Sequence, residues 1–180
     1  MKEEKGFTLL ELLISLAIAG IVVAGATTTL SHVITVGSAN SNHMTAVRQA
    51  QTAGYWVSHD ALMAQEVQLD DLTTPEIEFI VLNWSEWNGD SREVIYTLED
   101  TADGFKQLQR QYTVISSDNT TSTNVVAAQN IDDSSITDPD WNYNTEAKWE
   151  NGVLTLRVTT SVVGRTETRV YEIQPRPLSQ

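Results

Sequence analysis

Few side chains in this sequence could do chemistry, and their spacing suits none of the common reactions. There is no cysteine, which excludes a thiol nucleophile, a disulfide framework and a thiolate metal site. His32, His43 and His59 are 11 and 16 residues apart, so none form the i, i+3 or i, i+4 pair that holds a metal on a helix, and they read as solvated. Asp132, Asp133, Asp138 and Asp140 could offer oxygens to calcium, but their spacing is not that of an EF-hand, and a solvated acidic loop is the reading adopted. A Walker A loop, a dinucleotide fingerprint and a G-x-S-x-G elbow are all missing. Neither catalysis nor a cofactor or bound metal is expected. Asn83-Trp84-Ser85 and Asn119-Thr120-Thr121 satisfy the glycosylation sequon, and only the second falls in an expected loop.

One ionisable group stands where it costs free energy. From Phe7 to Leu30 the chain is apolar or small except for Glu11, and Leu12 to Leu30 is a run of 19 residues without a charge. Roughly 18 to 20 such residues cross a bilayer as a helix, at about 1.5 Å each. A charge at mid-span costs about 2.5–3.5 kcal/mol on translocon scales and less toward the ends, so Glu11 either snorkels or has a function.

The elements that must position Glu11 follow from pattern. Beyond Leu30 the helical period continues but becomes amphipathic, with Val33, Val36, Met44, Val47, Ala50, Val57, Ala61 and Ala64 on one side. Arg48, Gln51, Ser58 and Asp60 lie mostly elsewhere. One helix from about Phe7 to Gln68 is predicted, lipid-facing in its first half and sheet-facing in its second. Trp56, His59 and Met63 read as interface rather than a ligand box.

From Pro75 the texture turns to alternating and β-branched residues. Strands are predicted at Glu76–Trp84, Glu93–Leu98, Lys106–Ile115, Val153–Val162 and Thr166–Ile173, the last two joined at Gly164-Arg165. Ser116 to Asn124 reads as an exposed loop and Val125–Ile131 as a short edge strand. The fold class expected is α+β, a long N-terminal helix packed on an antiparallel sheet.

Charge divides the chain in the same way. Eleven Lys and Arg face 24 Asp and Glu, a net charge of −13, and between Phe7 and His59 only Glu11 and Arg48 are charged. The acidic remainder repels a phosphate backbone, so nucleic acid is not expected as a partner.

Gly6-Phe7-Thr8-Leu9-Leu10-Glu11, after a lysine-containing leader and at the edge of a spanning segment, resembles the processing motif of the type IV pilin family. The resemblance implies that a membrane-embedded prepilin peptidase cuts between Gly6 and Phe7 and methylates the new Phe7 amine. It also implies that Glu11 serves subunit assembly by pairing with a neighbouring N-terminus. At an effective dielectric of about 20, an ion pair at 4 Å is worth roughly 4 kcal/mol, comparable with leaving Glu11 unpaired, so energetics permits that pairing. The implied organisation is a leader at 1–6, a transmembrane and filament-core helix at 7–30, and an extracytoplasmic pilin-like domain at 31–180. The implied partners are the peptidase, other pilin or pseudopilin subunits, the inner-membrane assembly platform and, before assembly, membrane lipid. The implied location is the cytoplasmic (inner) membrane, crossed once, and then a pilus or pseudopilus. Many type IV pilins carry a proline inside this helix, and this chain has none before Pro75.

The tail refines the resemblance. VIYTLED, FKQLQRQY, VVAAQNI and a closing hairpin ending Ile173-Gln174-Pro175-Arg176 look like the J-type minor pseudopilins of type II secretion and the related W-type minor pilins. Competing readings remain. Ala24-Gly25-Ala26 fits secretory cleavage after Ala26, against a charge in the apolar region and a leader without net positive charge. A plain signal anchor leaves the Gly6-Phe7-Glu11 register unexplained. The alternative function is a membrane-anchored extracytoplasmic binding domain that does not polymerise; an extracytoplasmic enzyme ranks third.

Overall fold

The computed structural model describes residues 8–69 and 78–176, and residues 1–41 and 42–180 form two compact units. The chain begins with one helix, α1 (Leu9–Ala61, 53 residues), and continues as strands β1 (Glu66–Gln68), β2 (Glu78–Ser85), β3 (Ser91–Asp100), β4 (Lys106–Ile115), β5 (Thr120–Ile131), β6 (Glu146–Glu150), β7 (Val153–Val162) and β8 (Arg165–Ile173). This is the α+β arrangement expected, an N-terminal helix packed on an antiparallel sheet, consistent with a pilin fold.

Helix α1 runs uninterrupted because no proline falls within it and its glycines, Gly20, Gly25, Gly37 and Gly54, each cost only about 1 kcal/mol relative to alanine. It stops at Ala61, short of the expected Gln68. Ala64 is still buried, as the helical period demands, but the Gln65 N–H turns to the Asn83 carbonyl, and Glu66–Gln68 pairs with Asn83–Val81 as a strand. Ladder bonds to β2 thus outcompete two further helical turns.

The face that α1 turns to the sheet is made of small residues: Ala46, Ala50, Ala53, Gly54, Val57 and Ala61 are buried. They let the helix backbone approach closely. Thr160 donates its hydroxyl to the Ala46 carbonyl at 2.8 Å, and Tyr171 donates to that of Ala50 at 3.2 Å. A Cβ at Gly54 would fall inside the Tyr171 ring, so no other residue fits there without displacing that side chain. Opposite lie Ile80, Leu82, Val94, Tyr96, Leu108, Ile131, Leu154, Leu156 and Val158, all buried, as inward positions of alternating strands should be.

The sheet order is β1-β2-β3-β4-β5-β7-β6, with β8 paired to β7. Strands β4 and β7 fall where periodicity placed them. The segment expected as a loop does not: Thr120–Asn124 belongs to β5, a strand of 12 residues, because its Thr and Ser side chains can sit on a pleated surface while the backbone pairs with Gln111–Ile115. β5 meets β7 only at Ile131↔Thr160. The β7–β8 connection is Val163-Gly164, one residue earlier than expected, with φ of 48° and 72°. Both residues are left-handed, the geometry of a tight hairpin turn, and valine there carries the steric cost of a β-branched side chain.

Candidate functional site

At the start of α1, Thr8 and Glu11 form a reciprocal cap. Thr8 donates from its backbone N–H (3.1 Å) and its hydroxyl (3.0 Å) to Glu11 Oε2, while the Glu11 N–H donates to the Thr8 hydroxyl at 3.3 Å. This is the capping-box geometry, which satisfies helix N–H groups that have no intrahelical acceptor and sets a carboxylate at the positive end of the helix dipole. Of the roughly four lone-pair sites on a carboxylate, Thr8 engages two, so capacity remains for an ammonium donor. Gly6 and Phe7 lie outside the described residues.

The surroundings of Glu11 are apolar and exposed. Every residue from Thr8 to Ser38 is exposed, and α1 includes an 18-residue window of mean hydropathy 2.4 with none of it buried. Four of its hydroxyls are satisfied locally: Thr27 bonds the Val23 carbonyl, Thr28 and Thr29 that of Gly25, and Thr35 that of Ser31. Hydroxyls bonded to their own helix in this way can sit in lipid or against other helices without an unpaired donor.

A second cluster lies in the globular unit and was not foreseen. Asp60, expected away from the core face, is only 2% exposed. Arg110 grips it with Nε to Oδ2 at 2.6 Å and a second guanidinium nitrogen to Oδ1 at 2.9 Å, and the Tyr96 hydroxyl donates to Oδ2 at 2.5 Å. Burial, reinforced by Asp60, pushes the Tyr96 phenol far above its usual range, so it stays a donor. The Arg110 guanidinium also lies over the rings of Trp56 (4.9 Å) and Tyr112 (5.1 Å). The signal was available: Asp60 stands three residues after Val57 and four before Ala64, on the apolar stripe itself. A carboxylate with every approach occupied by protein donors is a structural lock rather than a general base.

Of the other candidates His59 reaches this cluster, its Nδ1 3.3 Å from Asp60 Oδ1, and the rest do not converge. His32, His43, His59 and Met63 are exposed, and Trp56 alone of its expected stripe packs against the core. Among the described residues no group of three His, Cys, Asp or Glu could hold a metal. In the acidic loop Asp138 pairs with Arg157 at 3.2 Å, Asp133 with Lys106 at 3.3 Å, Asp132 accepts from Ser134 and Asn144, and the Asp140 carbonyl accepts from Lys148. Asn83 is held in the β1–β2–β3 ladders, whereas Asn119 sits in the exposed β4–β5 turn.

Residues 1–27 match the family model of the prokaryotic N-terminal methylation motif. That match supports a type IV prepilin-like protein, of a class that is structural rather than catalytic, with a membrane anchor and a C-terminal soluble domain. No curated protein and no solved structure matches the chain.

Proposed function

We propose that this chain is a prepilin, cut after Gly6, methylated at Phe7 and assembled as a minor structural subunit of a type IV pilus or a type II secretion pseudopilus. On this reading residues 1–6 are the leader, 7–30 the helix that leaves the inner membrane for the filament core, and 31–180 the extracytoplasmic domain. The observation that carries it is the methylation motif with Glu11 in the first turn of an exposed apolar helix. Before assembly the Thr8 cap shields the Glu11 carboxylate. In the filament the Phe7 amine of a neighbouring subunit supplies the opposite charge, and each buried charge offsets the other. The minor-subunit part of this reading rests on the J-type and W-type resemblance of the tail, whose Tyr96 and Arg110 both meet Asp60 and whose Asn130 holds a left-handed φ of 57° where β5 bulges against β4.

The test is Glu11→Ala. The substitution raises apolarity, so membrane insertion and cleavage should persist, while the subunit's share of sheared filaments should fall at least tenfold, matching roughly 1.4 kcal/mol or more of lost pairing. Wild-type incorporation would remove Glu11 from assembly.

A further inference from the structure

Among the described residues β1, β6, β8 and the first part of β5 are four outer stretches with no strand neighbour on one side. Proteins blunt such edges by brevity or charge, because an open edge accepts foreign strands. Three of the four are blunted in this way. β1 has three residues and includes Glu66; β6 carries Glu146, Lys148 and Glu150; β8 carries Arg165, Glu167, Arg169 and Glu172. β5 is the exception, with no charged residue from Thr120 to Ile131. It is also rich in Thr and Val, the residues that favour pairing. The open stretch has clear limits. Ile131 is taken by Thr160 of β7, the Gln129 N–H donates to the Gln49 side chain at 2.9 Å, and every residue from Thr120 to Val126 is exposed.

We propose that the Thr120–Val126 edge is a docking site for an extended strand of an unlike chain, neutral and β-branched along its middle and cationic where it passes Asp118. Seven residues with alternate main-chain groups turned outward offer about three or four bonding positions, enough to fix a register. Charge selects the partner. Two copies of this chain would each bring a net charge of −13, whereas a cationic end meets exposed Asp118 in the β4–β5 turn. This inference stands apart from filament assembly and needs no cleavage at Gly6.

The full-length chain in detergent micelles should be titrated with an acetylated, amidated peptide of alternating threonine and valine closed by a lysine at each end, and with the same peptide N-methylated at its central residues. The expected result is saturable binding of the first peptide alone, with amide exchange slowed at alternate residues of Thr120–Val126. Asp118→Asn should weaken binding about threefold. Equal binding of both peptides, binding of neither, or protection on β1 or β8 would overturn the assignment. So would a dimer of this chain that is protected at β5 and excludes the peptide.

Discussion

The Nε of Arg110 lies 2.6 Å from Oδ2 of Asp60, joining the sheet-facing part of α1 to β4 across 50 residues of sequence. Both side chains are nearly closed to water, and Tyr96 of β3 donates to the same oxygen. The pair therefore sets, with the Thr160 and Tyr171 hydroxyl bonds to the Ala46 and Ala50 carbonyls, where α1 sits on the sheet. Apolar contacts from alanines cannot do this alone, because they are non-directional.

Breaking that pair on one side strands a buried guanidinium. Asp60→Ala should cost about 3–5 kcal/mol in denaturant unfolding, whereas replacing the whole cluster by apolar residues, Asp60→Leu with Arg110→Met and Tyr96→Phe, should recover most of the loss, since no buried donor is then left without an acceptor. A single substitution costing under about 1 kcal/mol would show that the ion pair does not set the helix position.

Val163 predicts the opposite sign. Its φ of 48° is a conformation that β-branched residues avoid, and its side chain is 81% exposed, so little packing is at stake. Val163→Asn should stabilise the domain by about 1 kcal/mol and raise Tm by a few degrees in a thermal melt, by giving the β7–β8 turn the Asn-Gly pair it favours.

Asp138 predicts a pH dependence. Its carboxyl is held below the ordinary carboxylate range, first by the Asp140 backbone N–H and then by Arg157. A carboxyl whose value is lower in the folded state contributes stability above the unfolded value, near 3.9, and loses it as pH falls through the folded one. The stability gap between wild type and Asp138→Asn should therefore be constant above about pH 5 and close below about pH 4. A gap unchanged down to pH 2 would remove the carboxylate from this role.

What was legible in the sequence follows from what is local. The apolar run of α1 and the alternation of Lys106–Ile115 and Val153–Val162 each lie within one element, so pattern alone reports them, and the Gly6-Phe7-Glu11 register is local in sequence. What was missed depends on distant partners. Thr120–Asn124 has the composition of a loop and becomes a strand because β4 offers it a ladder. Glu66–Gln68 leaves the helix because β2 is there to pair with it, and Glu146–Glu150 has β7 to pair with. Asp60 is buried because Tyr96 and Arg110, 36 and 50 residues on, supply its donors. The candidate site was legible throughout: Glu11 is announced by its apolar neighbours, and its cap by Thr8 by the Thr8-Leu9-Leu10-Glu11 spacing, a capping-box signature ahead of an apolar run.

Mass spectrometry of the mature chain, made in cells that hold the prepilin peptidase, decides whether the Gly6–Phe7 bond is the one cut. The expected N-terminus is Phe7 carrying one methyl group. A chain beginning at Thr27 would contradict the prepilin reading and mark ordinary secretory cleavage, and one retaining Met1 through Gly6 would contradict it and leave the membrane-anchored binding domain in its place.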